Sequence, residues 1–352
     1  MENLIEYGYT PILDTEGYMP ARITAVHRER FEIVCENGFA FARLKSGVYY
    51  PDGSSKKSIK EVFPTVGDFV LIQYNDSGDS LIVKTLERKS LFERKDPASK
   101  LHKNTDSDIA QAVAANFDYV FICTSLNNDF NVGRIERYLT IAWQSEAIPV
   151  IILTKADLKE DYSKEENAVR KIAGNAMVHI ISSKTGMGID ELRDYFRPRK
   201  TIVFLGSSGV GKSSLLNKIA GKEIMKVNGI REDDSKGRHT TTHRQLIRLD
   251  NGAMIIDTPG MRELGMWYVE DGLSETFYDV ERYLGKCRFS NCTHTVEPGC
   301  AILEAIENGQ LVEDRWNSYR KISGDSVNMS MRDRMLRDKI LGKDLKKYNK
   351  RK

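Results

Sequence analysis

No run of eighteen apolar residues occurs in the 352-residue chain, so no transmembrane helix is expected. The opening residues Met1-Glu2-Asn3-Leu4-Ile5-Glu6 are acidic and lack the pattern of a secretory signal. Together these absences predict a cytoplasmic protein without a membrane partner. Cysteine is scarce, at five residues, and without a signal a disulfide framework is not expected. No internal repeat stands out. Net charge is low, at +3, but unevenly placed: residues 331–352 carry ten Lys/Arg against three Asp. That basic segment suits phosphate-backbone contact and a solvated charged helix equally well. What is present is enough apolar residue, 40%, and enough length for two or three domains with real cores.

The strongest local signal is Gly206-Ser207-Ser208-Gly209-Val210-Gly211-Lys212-Ser213, followed by Ser214. It fits G-x-x-x-x-G-K-[ST] at every fixed position. The apolar run 201–205 before it suits a buried parallel strand, and the residues after it read as a helix start. Glycines let the loop turn tightly and aim its N–H groups inward, where the helix N-terminus also favours phosphate. In this pattern Lys212 reaches the β- and γ-phosphates and the Ser213 hydroxyl ligates Mg²⁺. Asp257-Thr258-Pro259-Gly260 follows a second apolar run. Asp257 then holds Mg²⁺ through water, and the Gly260 N–H senses a γ-phosphate. Between the two lies Gly237-Arg238-His239-Thr240-Thr241-Thr242-His243, after a polar stretch from Asn228 to Lys236. One of its threonines completes the Mg²⁺ shell; Thr241 is favoured, with its neighbours close behind.

Thr154-Lys155-Ala156-Asp157 follows the strand-like run 150–153. A carboxylate there accepts both donors of a guanine edge, which adenine does not offer, and the Lys155 stem packs over the base. The usual N-K-x-D is changed at its first position. Ser182-Ser183-Lys184, after the run 178–181, fits the second short loop that contacts the base. Both base-reading segments precede the phosphate loop, the first by about fifty residues. In an ordinary GTPase they follow it. The chain therefore reads as a circularly permuted GTPase that binds GTP and GDP. Many GTPases orient the attacking water with Gln just after D-x-x-G, but Met261 stands there, and a thioether cannot do this. His239 is the nearest substitute in sequence, unless it is a solvated loop residue.

Cys287, Cys292, His294 and Cys300 lie within fourteen residues, among the turn-formers Asn291, Pro298 and Gly299. Three Cys and one His form a complete tetrahedral Zn²⁺ set with no open position, so one structural zinc is expected. Cys35 and Cys123 sit in apolar runs and read as core. Five short strands are expected at residues 22–26, 31–35, 39–44, 67–72 and 80–84, with Asn37-Gly38 as a hairpin turn. They suit an OB-type barrel, which binds nucleic acid or serves as a plain docking surface. Residues 87–106 are charged and read as a linker with a mobile loop. Strand and helix patterns then alternate to about residue 265 as a parallel α/β sheet. The expected domains are a barrel at 1–90, the permuted GTPase at 91–272, and a mostly helical zinc-binding domain with the basic tail at 273–352.

Taken together, these segments resemble the ribosome small-subunit-dependent GTPase A family (RsgA, also called YjeQ) over nearly the whole chain. The resemblance implies an enzyme that binds the small ribosomal subunit and its rRNA late in assembly and hydrolyses GTP faster when bound. It also implies that His239 serves hydrolysis in place of Gln. A monomer is expected. Two other readings compete: a nucleotide-gated rRNA-binding module in which hydrolysis is incidental, and a GTPase that regulates something else.

Overall fold

Apolar and polar residues alternate along residues 19–44, the period of a sheet with one buried face. In the computed structural model they form β1 (Met19–Val26), β2 (Phe31–Cys35) and β3 (Gly38–Leu44), after a short α1 (Glu2–Glu6). The structure describes residues 2–11, 14–27, 30–49, 62–95, 110–127, 129–225, 244–257, 273, 276–289 and 292–323. The β2–β3 hairpin closes where Cys35 pairs Gly38, whose φ of +99° suits glycine. Helix α2 (Ser46–Tyr49) drops the buried Tyr49 ring against the barrel interior. Strands β4 (Phe69–Gln73) and β5 (Ser80–Thr85) follow. Pairings run β1-β2-β3-β5-β4, and β4 returns to β1, closing a five-stranded barrel. Ile23, Ile33, Val70, Ile72 and Ile82 fill it. All five expected strands are present, within a residue or three at their ends.

The expected linker at 87–106 is partly structured instead. Strand β6 (Leu91–Lys95) pairs antiparallel with β7 (Ala110–Ala115). The charges of Glu87, Arg88 and Lys89 masked a short apolar pair: Phe92 is buried, its ring 4.6 Å from that of Phe117. The remainder of that segment lies outside the described residues.

Next come β8 (Tyr119–Ser125), α3 (Val132–Gln144), β9 (Ile148–Thr154), α4 (Ser163–Ile172), β10 (Met177–Ile180), β11 (Thr201–Leu205), α5 (Lys212–Ala220), β12 (Gln245–Arg248) and β13 (Met254–Asp257). The sheet order is β10-β9-β8-β11-β13-β12, parallel except for β12. Its central strands are apolar throughout, as strands covered on both faces require. Asn131 caps α3, its side chain accepting from the Arg134 N–H.

Barrel and α/β sheet are continuous, because β1 meets β12 at Ala25 and Gln245. A buried cation supports the junction. Arg22, on β1 and 1% exposed, donates to the carbonyls of Tyr7, Gly67 and Asn116, to Thr201 Oγ1, and to Met254 Sδ. Burial lowers its guanidinium to about 10. Gly67 is irreplaceable there: at φ +89°, a Cβ would lie 2.1 Å from the Ala115 carbonyl oxygen. All of this belongs to one compact unit, Met1–Gly265.

The second unit is Met266–Lys352. Its described part has α6 (Tyr278–Glu281), α7 (Ala301–Glu307) and a helical stretch at 313–323. Phe277, Val280, Ile302, Leu311, Trp316 and Ile322 make its core. Arg315 pairs with Asp279 and lies over the Phe277 ring. Among the described residues of the whole chain, no helix is long and apolar enough to cross a membrane.

Candidate functional site

Strand β11 lies between β8 and β13, and its C-terminal end releases the glycine-rich loop. Gly206 has φ +144°, and a Cβ there would lie 2.5 Å from the Cys123 carbonyl oxygen. Only glycine lets the loop pass this close to β8. Gly209 and Gly211 also take positive φ, +73° and +108°. Gly211 caps α5, its carbonyl accepting from the Leu215 N–H at 2.9 Å. The first-turn N–H groups of α5 therefore face the loop, where an anion is favoured. Lys212 folds back over the loop, its Nζ 2.7 Å from the carbonyls of both Gly206 and Ser207. Ser208 is exposed, whereas Ser213 and Ser214 are half-buried in the first turn of α5.

Thr154 gives the altered motif a physical account. It ends β9, and its Oγ1 donates to the Val210 carbonyl at 2.5 Å and the Thr124 carbonyl at 3.3 Å. The first motif position thus ties the base-reading loop to the buried Val210 of the phosphate loop, which a threonine hydroxyl can do. Lys155 takes the left-handed conformation, φ +61°, and begins a short 3₁₀ turn over Ala156–Leu158. Ala156 is buried, and its N–H donates to the Ile181 carbonyl. The Ser182 hydroxyl donates to Asp157 Oδ1 at 2.5 Å and accepts from the Thr185 N–H at 3.2 Å. One carboxylate oxygen of Asp157 is thereby held by the second predicted loop. Ser183 is half-buried and Lys184 exposed beside it. The structure therefore brings together Thr154–Asp157, Ser182–Lys184 and Gly206–Ser214. Asp257 ends β13, in register with Gln245. His239, Thr240, Thr241, Thr242, Thr258, Gly260 and Met261 lie outside the described residues.

One neighbour was not foreseen. Asp129, in the β8–α3 connection, accepts from Ser207 Oγ at 2.6 Å and pairs with Arg134 at 3.0 Å. Its only sequence signal is a polar residue just beyond a buried strand. Cys123 is a core thiol as expected; burial pushes it up to about 12, so it stays protonated and inert.

In the second unit, Cys287, Cys292, His294 and Cys300 present ligand atoms all within 4.8 Å of one another. His294 Nδ1 lies 3.4 Å from the sulfurs of both Cys287 and Cys300, which are 3.9 Å apart. Sulfurs on a tetrahedral metal with bonds of ~2.3 Å stand about 3.8 Å apart, so the set fits a single ion. Tight turns make the cluster. His294 has φ +57°, and the Gly299 carbonyl accepts from the Arg288 N–H. Glu297 accepts from the Thr293 hydroxyl and from the N–H groups of Thr295 and Thr293, which together hold its carboxyl well below the usual range. The four residues can hold a metal ion.

A phosphate loop on the central strand, entered after two base-reading strands and joined to a five-stranded barrel, defines a circularly permuted P-loop GTPase. The RsgA GTPase family pattern matches residues 85–267, and the chain belongs to that family of GTP-hydrolysing enzymes. It is 44% identical over 325 residues to the small ribosomal subunit biogenesis GTPase RsgA 2 of Listeria monocytogenes serotype 4b, covering 91% of this chain and 88% of that one. It is 39% identical over 339 residues to the protein of the same name from Lactiplantibacillus plantarum, covering 95% and 92%. Among solved structures, YjeQ from Thermotoga maritima superposes with a TM-score of 0.62 at 27% identity, covering 88% of this chain and 98% of that one. YloQ, a circularly permuted GTPase, shares the fold with a TM-score of 0.58 at 22% identity, covering 91% and 99%.

Proposed function

We propose that this GTPase binds the small ribosomal subunit, assists its late maturation, and hydrolyses GTP to GDP and phosphate with stimulation by the subunit. The observation that carries this reading is the direct fusion of barrel and nucleotide-binding sheet through β1 and β12. It makes the barrel and the nucleotide-binding sheet continuous, which supports a reading in which one contacts RNA while the other binds GTP. The names of the relatives, small ribosomal subunit biogenesis GTPases, supply the partner.

Each site residue has a role in this reading. Lys212 leaves the loop carbonyls for the β- and γ-phosphates, and loop N–H groups from Gly206 to Ser214 cradle the phosphates. Ser213, Thr241 and Asp257 complete the Mg²⁺ shell, directly or through water. Gly260 senses the γ-phosphate. Asp157 accepts the guanine N1–H and amine, held for this by Ser182, while Lys155 and the 182–184 loop line the base. His239 positions the attacking water in place of the missing Gln. Zn²⁺ is the ion for Cys287, Cys292, His294 and Cys300, since borderline-soft ligands in a closed tetrahedron favour it and leave no catalytic position.

The test is GTP hydrolysis by the purified protein alone, with small subunits, and with large ones. Strong stimulation by the small subunit only is expected. Equal, slow rates in all three would remove the ribosome as activator. Unchanged stimulated turnover in His239→Ala would remove that residue from the mechanism.

A further inference from the structure

Residues 125–135, between β8 and the first turn of α3, contain four neutral side-chain acceptors, Ser125, Asn127, Asn128 and Asn131, and one acid, Asp129. The acid is the one that meets the phosphate loop. Its Oδ2 accepts from Ser207 Oγ at 2.6 Å, and the same oxygen stands 3.0 Å from Arg134 Nη2. Asp129 is also fixed from its own side. Asn127 Oδ1 accepts from the Asp129 N–H at 3.1 Å and from Ser125 Oγ at 2.7 Å. Asn131 Oδ1 accepts from the Arg134 N–H at 2.9 Å, and the Arg134 guanidinium donates to the Asp129 carbonyl.

Ser207 is thus held twice, by Asp129 through its hydroxyl and by Lys212 through its carbonyl. Thr154 holds Val210 three residues on. A neutral amide would serve as well for holding. A carboxylate adds charge of the wrong sign beside N–H groups that attract phosphate. Its repulsion grows with the charge of the bound phosphates, so it acts more on a triphosphate than on a diphosphate. Arg134 offsets this in part, but it reaches Ser207 only through the carboxylate. The two side chains are 45% and 29% exposed, so the pair stands in water and salt screens it.

We propose that Asp129 is a positioning residue that holds the phosphate loop through Ser207 and, by its charge, disfavours GTP relative to GDP. The diphosphate state is then the favoured one in the isolated protein, and Arg134 sets how strongly. This inference rests on the phosphate-binding reading of residues 206–214 and adds a residue from outside the motifs. It does not depend on the ribosomal partner.

The test uses the full chain with Mg²⁺ and equilibrium titration of two fluorescent probes, methylanthraniloyl-GDP and the methylanthraniloyl imido analogue of GTP. Asp129→Asn keeps the acceptor and removes the charge. It should tighten GDP roughly threefold and the triphosphate analogue roughly two to three times more than that. Asp129→Ala also loses the acceptor and should bind both probes less tightly than Asp129→Asn. Arg134→Gln leaves the carboxylate uncompensated and should weaken both probes, the triphosphate more. The double variant Asp129→Asn/Arg134→Gln should return close to wild type. In 1 M salt, where the screening length is about 3 Å, the effects of charge should shrink. Unchanged thermal unfolding in each variant confirms the fold. Unchanged or weaker triphosphate binding in Asp129→Asn would overturn the charge role, as would equal changes for both probes or changes that salt does not reduce. Equal binding by Asp129→Ala and Asp129→Asn would remove the positioning role. A double variant as weak as Arg134→Gln would overturn the pairing and put Arg134 itself on the phosphates. No binding of either probe by the wild type would sink the phosphate-binding reading together with this one, whereas normal binding that ignores residue 129 sinks only the inference.

Discussion

The phosphate loop and the Cys/His cluster are both cradles built from tight loops, yet they are held in opposite ways. The phosphate loop hangs from the central strand of an apolar sheet, and Thr154, Gly206 and Gly211 fix its path with protein atoms alone. The cluster sits in a much smaller unit, where Cys300 is part of the core and Cys287 and Cys292 pack against it. There the ligands are themselves structural members. A small core of this kind needs a staple, and a metal ion held by these four ligands would supply one. A site with a pre-built frame survives losing its ligand; a site whose ligands are its frame does not.

The sharpest way to break this contrast is to deny the Cys/His cluster the zinc proposed for it. Chelation, or Cys292→Ser, should unfold the second unit, since structural zinc contributes on the order of 10 kcal/mol to small domains. GDP binding by the first unit should persist, read by fluorescent GDP titration beside limited proteolysis. Simultaneous loss of both would show that the phosphate loop depends on the second unit. Next in size, Lys212→Ala should lower GTP hydrolysis by roughly 10²- to 10³-fold with protease resistance unchanged. Gly67→Ala probes the frame itself and should cost about 3 kcal/mol, read by denaturant unfolding, because no Cβ fits against Ala115.

The smallest effect concerns pH. Burial raises the Asp118 carboxyl, but Lys89, the Thr201 N–H and Lys200 outweigh it and leave it below its ordinary value. A depressed carboxylate contributes stability above its unfolded value and loses it as pH falls through the folded one. Asp118→Asn should therefore cost about 1 kcal/mol at pH 7. The difference from wild type should fade in acid, below the ordinary Asp range. Asp68 has the opposite sign: burial pushes its carboxyl up despite the Arg88 pair, so its ionised form costs stability at neutral pH. A wild-type/variant difference that did not change with pH would show that Asp118 acts by shape alone.

What was legible in the sequence was whatever repeats with a period or occupies a fixed spacing. The barrel strands showed through alternation, the phosphate loop through its glycines, and the permutation through motif order. The cluster showed through ligand spacing. What was not legible depends on contacts between distant segments. The β6–β7 pair was hidden because its charged flanks outweigh two apolar residues, Leu91 and Phe92. Asp129 gives no local sign that it will meet Ser207, 78 residues away. Arg22 reads as an ordinary strand cation until five separate segments close around it.

That arginine changes how the protein can be dissected. Its partners Thr201 and Met254 start β11 and β13, the strands that end at the phosphate loop and at Asp257, and Asn116 lies in the turn just before β8. A fragment beginning near residue 91 would keep every motif of the GTPase and still lose the group that knots those strand ends together. A fragment that is to keep this knot must therefore carry β1 and the residues up to Tyr7 as well as the GTPase motifs.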